Sequence, residues 1–350
     1  MASIRLFRIW GIDVKVHYSL FIVIAFLAYI FYIQEYPYGF RGSEYSVMLA
    51  IVAAVSLFLA VFLHELGHAV VSKRFGHNVR EIILFIFGGL ALIEKPPRGM
   101  REAMISLSGP AVSVFIAVVF YFLSGSSLEP LSEFSAVFYR INLIIAIFNL
   151  IPAFPLDGGR VLRGLLSEKI GYRKATYFSA EAGKAIAIFM GIAGLVYNLW
   201  LTFIAIFIYL GAAEELKYSR MEALLSRFRV RDIMTTELKT VSPDMTVREF
   251  IEFAFRNKHL GYPVMESGRL VGIVTLHDVT GRNPEDRISQ YMNRKLITLL
   301  PDEPAMKAFE VMNSTGVGRI PIVEHGELVG IITKTDLIRL MQIQEVLRLE

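Results

Sequence analysis

An uncharged apolar run that leads directly into three ionisable residues constrains this chain more than any other feature. Residues 48–63 are apolar except for one serine, and His64, Glu65 and His68 follow. The apolar segment as a whole covers about residues 46–71, which is long enough to cross a bilayer as a helix. Ionisable side chains are costly in such a helix, so they indicate a functional site.

His64, Glu65 and His68 form the pattern H-E-x-x-H. Residues four apart leave one face of a helix, which places the two imidazoles as two ligands of a tetrahedral zinc ion. Glu65 then lies beside the metal, where its carboxylate takes a proton from a zinc-bound water. The bare pattern also occurs by chance in proteins that bind no metal, so a third ligand is needed. Because the chain has no cysteine, that ligand must be histidine, aspartate or glutamate.

The composition is typical of an integral membrane protein that carries a soluble part. Hydrophobic residues make up 54% of the 350 residues, and the mean hydropathy of +0.51 is high for a soluble protein. The net charge of +4 comes without a basic stripe interleaved with aromatics, so we expect no nucleic-acid partner. No small-residue cleavage site follows a short apolar core near the N-terminus, and we therefore expect no removable signal peptide.

Six apolar segments predict six transmembrane helices surrounded by membrane lipid. They cover about residues 17–33, 46–71, 103–123, 136–151, 179–197 and 199–213. Gly109 and Pro110 predict a break near the start of the third helix. A further apolar segment, residues 82–93, has only twelve residues and is too short to span as a helix. Gly88 and Gly89 in its middle predict a re-entrant, β-like element that lines a protein cavity.

Basic residues cluster in three loops between these segments and are nearly absent from two others. The basic loops are residues 73–80, 95–102 and 157–174, and the loops that hold only Arg41 are residues 34–46 and 124–135. Cytosolic loops carry an excess of lysine and arginine, so this pattern predicts a multi-pass protein of the cell membrane with a cytosolic N-terminus. Six spans return the C-terminal part of the chain to the cytosol.

Asp157 is the best candidate for the third metal ligand. It lies between Pro155 and a pair of glycines, where a bent backbone is able to turn its carboxylate inward. Together with His64 and His68 it leaves zinc a fourth position for water, as a catalytic site requires. Asn149, near the end of the fourth segment, carries an amide suited to hold a peptide carbonyl or oxyanion. Hydrogen bonding between helices is the alternative role for this amide.

These motifs resemble those of the site-2 protease family of intramembrane zinc metalloproteases. Residues 64–68 match its zinc motif, residues 149–159 match its second motif, and residues 88–91 resemble a strand that pairs with an unwound substrate. The resemblance implies one zinc ion held by His64, His68 and Asp157, Glu65 as general base, and substrate contacts at Asn149, Gly88 and Gly89. It also implies an endopeptidase that cleaves transmembrane or membrane-proximal segments of membrane proteins.

The chain repeats itself from residue 230 onward. Pro243, Pro263 and Asp278 recur as Pro301, Pro321 and Asp336, and each pair is separated by 58 positions. Two copies of one unit in register are a strong repeat signal. Each copy alternates a helical pattern with short β-branched strands, which predicts an α/β unit. Residues 217–229 carry apolar residues at helical spacing and form either a helix on the inner leaflet or an ordinary linker helix.

The repeat resembles a pair of CBS domains, and its two G-h-h-T-x-x-D segments resemble the nucleotide signature of that family. The resemblance implies that Thr275, Asp278, Thr333 and Asp336 contact a regulatory adenine nucleotide, which is AMP, ADP or ATP. Because CBS pairs stack on one another, it also implies a homodimer. The predicted domains are a metalloprotease at residues 1–216, a linker helix at 217–229, and CBS repeats at 230–286 and 287–350.

A CBS-regulated transporter or channel is the principal alternative, since intramembrane histidine and glutamate also serve ion passage. Such a pathway has no need for a carboxylate inside H-E-x-x-H together with a separate Asp157. A membrane sensor with an inactive site is a third possibility. The presence of all four expected residues, the two histidines, Glu65 and Asp157, argues against it.

Overall fold

Apolar segments form helices in the computed structural model, because a helix pairs the backbone polar groups that lipid leaves unsatisfied. The structure describes residues 3–85, 88–93 and 97–347. The chain divides into two units, Met1–Ser219 and Arg220–Glu350, and each is described by itself.

The helices of the first unit follow the predicted apolar segments. They are α1 (Ser19–Ile33), α2 (Ser46–Arg74), α3 (Met100–Leu123), α4 (Glu129–Asn149), α5 (Asp157–Ile170), α6 (Tyr172–Tyr197) and α7 (Leu199–Leu225), the last of which continues into the second unit. Among the described residues, five helices are long and apolar enough to cross a membrane, namely α2, α3, α4, α6 and α7. The prediction of a multi-pass membrane fold is confirmed. The predicted count of six is not, because α1 is apolar but has only 15 residues.

Several helices extend beyond the apolar segments that predicted them. Helix α4 begins at Glu129, α6 begins at Tyr172, and α7 ends at Leu225. The residues at these ends are more polar, so the hydropathy pattern stops before the helix does. Residues 157–174 were expected to form a loop, but they contain α5 and the start of α6.

The predicted break in α3 is wrong, because the helix continues through Pro110. Neighbouring helices and hydroxyl side chains can satisfy the backbone groups that proline and glycine leave free in membrane helices. Small residues at this point instead allow α2 and α3 to pack closely against each other. A Cβ atom on Gly67 of α2 would lie 2.9 Å from Val112 Cγ2 and 3.0 Å from Ser108 O, so α3 packs directly against the H-E-x-x-H turn.

A four-stranded sheet packs against α2. Its strands are β1 (Ser3–Ile9), β2 (Ile12–His17), β3 (Val79–Phe85) and β4 (Gly88–Ile93), in that spatial order. Strands β3 and β4 form the predicted β-like element as an antiparallel pair, although residues 86 and 87 between them lie outside the described residues. The hairpin of β1 and β2 was not predicted, and β2 pairs parallel with β3. Strand β4 is therefore an edge strand among the described residues.

The second unit contains the two predicted α/β copies, and this part of the fold class is confirmed. Its helices are α8 (Val230–Ile233), α9 (Val247–Asn257), α10 (Leu276–Val279), α11 (Ala305–Thr315) and α12 (Lys334–Leu347). Its strands form two hairpins, β5 (Gly261–Glu266) with β6 (Arg269–Thr275) and β7 (Arg319–Glu324) with β8 (Glu327–Thr333). Pro263 pairs with Ile273 and Pro321 pairs with Ile331, so the two hairpins share one register.

No separate linker helix occurs at residues 217–229. Helix α7 itself continues to Leu225, which is fully buried in the core of the second unit with Val230 and Ala305. The apolar residues at helical spacing in this stretch therefore belong to a protein core. The sequence left open a helix lying on the inner leaflet, whereas the structure places Leu225 of this stretch in a protein core.

Candidate metal centre and nucleotide cavity

Helix α2 presents the two histidines from one face, as their spacing predicts. The side chains of His64 and His68 are buried, and their ring centroids are 4.9 Å apart. No residue within the apolar run breaks the helix before them, so both rings sit inside a continuous helix rather than at its end. The motif therefore points two imidazoles into the protein.

Asp157 is the first residue of α5, and it meets both rings. Its Oδ2 atom lies 3.1 Å from His64 Nε2 and 3.2 Å from His68 Nε2. One ligand atom from each of the three residues lies within 4.8 Å of the other two. A segment 93 residues away in the sequence thus completes the donor set that the sequence predicted.

Helix α3 holds the other side of each imidazole. The Nδ1 atom of His64 lies 2.9 Å from Ser113 Oγ, and the Nδ1 atom of His68 lies 2.7 Å from the backbone oxygen of Ile105. Partners of this kind fix the ring orientation of metal-binding histidines. The sequence pattern did not indicate either contact. A backbone oxygen carries no residue-type signal, and Ser113 is one of many serines in the chain.

The protonation of His68 tests whether these residues fit a metal ion. The Ile105 oxygen only accepts, so Nδ1 of His68 must carry the proton. In the neutral ring, Nε2 then directs a lone pair toward the Asp157 carboxylate at 3.2 Å. Two acceptors at this distance repel each other, and either a second proton on the ring or a metal ion between the two atoms removes that repulsion. Two imidazoles and one carboxylate, with no cysteine available, are a donor set that suits catalytic zinc.

Gly109 of α3 leaves the space that such an ion needs. A Cβ atom at this position would overlap the His68 imidazole and lie 2.6 Å from His64 Nε2. Any other residue would fill the centre with its own side chain. The Gly-Pro pair predicted a kink, but in the structure the glycine serves close approach to the two rings.

Glu65 lies against the edge strand β4. Its side chain is half-buried, and a Cβ atom on Gly89 would overlap Glu65 Cγ and lie 3.2 Å from Oε1. Gly88 has φ +122° with open space around it, a backbone conformation that favours glycine. The two glycines therefore differ, since Gly89 accommodates Glu65 whereas Gly88 accommodates the turn of the backbone.

Asn149 is the last residue of α4, and its side chain is half-buried. Its Nδ2 atom donates to the backbone oxygen of Ile145 at 3.1 Å, one turn earlier in the same helix. This contact matches neither of the two roles expected from the sequence. A substrate role for this amide would use its remaining hydrogen-bonding capacity.

Thr275 and Asp278 of the first repeat satisfy each other. Asp278 Oδ2 accepts from the Thr275 amide at 2.8 Å and from its hydroxyl at 2.7 Å, and the Asp278 amide donates back to Thr275 Oγ1 at 3.3 Å. Thr333 and Asp336 repeat these contacts with the same distances. The two signatures therefore act as helix N-terminal capping boxes as well as candidate ligand contacts.

A cavity of about 240 Å³ adjoins the first of these signatures. Thr275 and Asp278 line it together with Lys295 and Arg319 of the following repeat. Burial lowers the pKa of the Arg319 guanidinium, and the nearby Tyr262 and Asp278 oppose that shift. A partly desolvated cation in a polar cavity favours an anionic ligand.

Both parts of the chain match known families. Residues 52–133 and 126–190 match Peptidase family M50, and residues 230–283 and 288–343 match the CBS domain. The zinc metalloprotease MJ0392 of Methanocaldococcus jannaschii is 36% identical over 98% of this chain and 97% of its own length. Rip3 of Mycobacterium tuberculosis is 30% identical over 97% of this chain and 93% of its own length.

A solved structure, the site-2 protease from Methanocaldococcus jannaschii, covers 61% of this chain and 95% of its own chain, with 36% identity and a TM-score of 0.45. The full-length relationship to MJ0392 confirms the enzyme class and the domain content that the motifs predicted. The chain belongs to the M50, or site-2 protease, family, and it is a multi-pass membrane zinc metalloprotease with a C-terminal pair of CBS domains.

Proposed function

We propose that this protein is an intramembrane endopeptidase that carries out regulated intramembrane proteolysis of membrane proteins. His64, His68 and Asp157 hold the zinc ion, and Glu65 is the general base. The observation that carries the proposal is the convergence of three donor atoms within 4.8 Å of one another. The Glu65 carboxylate lies on α2, the helix that carries the two histidines. Family membership supports the proposed class of substrate, because site-2 proteases act on membrane proteins.

Glu65 moves the proton in the proposed reaction. When bound, zinc supplies a Lewis acid that lowers the pKa of water toward neutrality. The Glu65 carboxylate accepts a proton from the attacking water and then delivers it to the leaving amine of the cleaved peptide bond. Contact with Gly89 keeps this carboxylate beside β4, where the substrate backbone is expected.

The exposed edge of β4 is the proposed docking site for the unwound substrate. A transmembrane helix hides its peptide carbonyls in hydrogen bonds, so the segment to be cleaved must first become extended. An extended segment is able to add to a sheet edge by backbone hydrogen bonds. Leu90 and Leu92 of β4 are exposed, and Gly89 of the same strand touches Glu65. We place Asn149 at the other side of the substrate, as a donor to a peptide carbonyl.

Zinc analysis and a cleavage assay on the same detergent-purified protein test this function. We expect about one zinc per chain and cleavage of a test transmembrane substrate. The matched variant Glu65→Gln should retain zinc and lose cleavage by roughly 100- to 10,000-fold, the usual contribution of general acid–base catalysis. Wild-type protein without zinc, or Glu65→Gln with near-normal cleavage, would contradict the assignment. A transporter or channel would show neither stoichiometric zinc nor cleavage of the test substrate, and the family relationship also disfavours it.

We propose further that the CBS pair binds an adenine nucleotide through Thr275, Asp278, Thr333 and Asp336 and thereby modulates cleavage. The cavity beside Thr275 and Asp278 supports this proposal. The residues that line this cavity also make the two candidate nucleotide sites, at Thr275 and at Thr333, unequal. Lys295 and Arg319 occupy the positions that Glu237 and Gly261 hold one repeat earlier, 58 residues away. The site at Thr275 therefore has the stronger attraction for phosphate and should bind first.

Calorimetric titration of the full chain in detergent with ATP, ADP and AMP tests nucleotide binding. A ligand shifts an equilibrium only by its differential affinity for two states, so we expect about 5- to 150-fold modulation of the cleavage rate. An absence of heat with all three nucleotides would contradict the proposal. Unchanged binding after Asp278→Ala combined with Asp336→Ala would contradict the assigned contacts while leaving the protease function intact.

The excess of basic residues in alternate loops supports a cytosolic N-terminus and a cytosolic CBS pair. We also propose a homodimer formed through the CBS pair. The proposed domain limits are 1–216, 230–286 and 287–350, and residues 217–229 connect them as the end of α7 and the residues that follow it. Because the chain lacks cysteine, single cysteines introduced at exposed sites report orientation with an impermeant thiol reagent. Labelling of His259→Cys in intact cells would contradict the cytosolic position of the CBS pair. A monomer in solution would contradict the homodimer.

A further inference from the structure

Arg163 of α5 carries a charge that is almost completely buried. Its side chain is only 6% exposed. The Nε and Nη2 atoms donate to Glu102 Oε1 of α3 at 2.9 and 2.5 Å, and Nη1 donates to Glu215 Oε1 of α7. One guanidinium thus joins three helices of the membrane unit.

Two of the helices that Arg163 joins, α5 and α3, take part in the candidate metal centre, whose histidines come from α2. Helix α5 begins with Asp157, and α3 contributes the contacts of Ile105 and Ser113 to the two histidines. The two helices touch without intervening side chains. A Cβ atom on Gly164 would lie 2.8 Å from Ala103 N and from the Gly99 oxygen. Any shift of α5 along α3 therefore changes the distance between Asp157 and the imidazoles.

The segment before Asp157 is also held by the same guanidinium. The Arg163 Cζ atom lies 4.8 Å from the centroid of the Phe154 ring, which is fully buried with Ala212 and Leu216 of α7. A Cβ atom on Gly211 of α7 would lie 2.5 Å from Pro155 Cδ. Residues 154–157 are thus packed between α7 on one side and the Arg163 side chain on the other.

Stability alone is a poor reason for this arrangement. Desolvation of a buried ion pair commonly offsets its attraction, so apolar residues of similar volume would stabilise the fold as well or better. A planar guanidinium fixes the relative positions of its partners, which apolar side chains do not, because its donors have fixed directions. It specifies one position of α5 relative to α3.

We propose that Arg163 is a positioning residue of the metal centre, which joins Glu102 to Glu215 and so holds Asp157 against His64 and His68. The inference rests on the proposed zinc site. It adds a residue that touches neither metal nor substrate but sets the geometry of the third ligand.

Two variants and one control test this role in full-length protein in detergent. Arg163→Lys keeps the positive charge but loses the planar set of donors that binds Glu102 and Glu215 at once. Arg163→Gln combined with Glu102→Gln removes the buried charges but keeps hydrogen-bonding groups. Lys169→Gln is the matched control, since Lys169 lies on the same helix and is exposed. We would measure the zinc Kd by chelator competition, the absorption spectrum of the cobalt(II)-substituted protein, and Tm.

Arg163→Lys should bind zinc about tenfold more weakly, which is the lower end of the loss caused by removing a partner of a metal ligand. It should also show an altered cobalt(II) spectrum. The double variant should recover Tm without recovering the zinc Kd or the spectrum. Lys169→Gln should match the wild type in all three measurements. Wild-type zinc affinity in Arg163→Lys, or recovery of zinc affinity together with Tm in the double variant, would reduce Arg163 to a structural role and overturn the proposal. If wild-type protein bound no zinc, the proposed metal centre itself would fail.

Discussion

The candidate metal centre and the cavity of the CBS pair both lie at short sequence motifs, but their polar groups are satisfied in opposite ways. In the candidate metal centre, His68 Nε2 and Asp157 Oδ2 face each other at 3.2 Å, and a proton or a metal ion must lie between them. In the CBS pair, Thr275 and Asp278 satisfy each other as a capping box. Three donor atoms that converge within 4.8 Å of one another indicate a ligand site directly. A motif that satisfies itself has a structural role already, and a ligand there depends on additional groups such as Arg319.

The largest expected effect follows from removing a metal ligand. His68→Ala deletes one of the three proposed protein donors, so the protein should lose stoichiometric zinc, and cleavage should fall to background. Metal analysis and the transmembrane-substrate assay measure both. His259→Ala is the control, because His259 is exposed and lies in the CBS unit. Retained zinc in His68→Ala would remove His68 from the proposed set of metal ligands.

The two glycines of β4 should separate catalysis from folding. Gly89→Ala places a methyl group on Glu65 Cγ, which displaces the general base. A misplacement of about 1 Å costs up to about 100-fold in rate, so kcat should fall by that order with zinc retained. Gly88→Ala meets no neighbour but is strained at φ +122°, so it should mainly lower Tm. Equal losses of Tm in both variants would assign both glycines to folding alone.

Ser113 tests how strongly the metal centre depends on the helix behind it. Ser113→Ala removes the partner of His64 Nδ1, and the zinc Kd should rise by about 10- to 100-fold. Ser135→Ala provides a buried control, because Ser135 Oγ has no hydrogen-bond partner among the described residues. Chelator competition compares the two variants. Equal zinc affinities would show that packing alone orients His64.

The smallest effect is expected in the CBS pair. Arg319→Gly reproduces the residue found at the equivalent position of the first repeat, and it should weaken the tighter nucleotide site about tenfold, the usual loss for one hydrogen bond to a charged group. Thr333→Ala with Asp336→Ala should leave that tighter site nearly unchanged. Calorimetry of the full chain measures both. A greater loss from the second pair of changes would reverse the proposed order of the two sites.

Features with a local periodicity could be predicted from the sequence. The four-residue spacing of His64 and His68 specifies one helical face, and the 58-residue offset specifies two copies of an α/β unit. The apolar segments predicted the helices, but their lengths were less certain, since polar residues continue α4, α6 and α7 past the apolar part. The N-terminal hairpin was missed because β2 completes a sheet with a partner more than 60 residues away, and local pattern carries no trace of that pairing.

The sequence by itself determined the chemistry of this protein, because H-E-x-x-H, Asp157 and the repeat are specified by residue types at short, regular spacings. Only the tertiary structure decided how that chemistry is held. The approach of Asp157 to 3.1 Å from His64, the backbone contact of His68 with Ile105, and the link through Arg163 all join segments far apart in the sequence. Contacts of this kind depend on backbone atoms, on missing side chains such as that of Gly109, and on helix packing. None of these leaves a periodic signal along the chain.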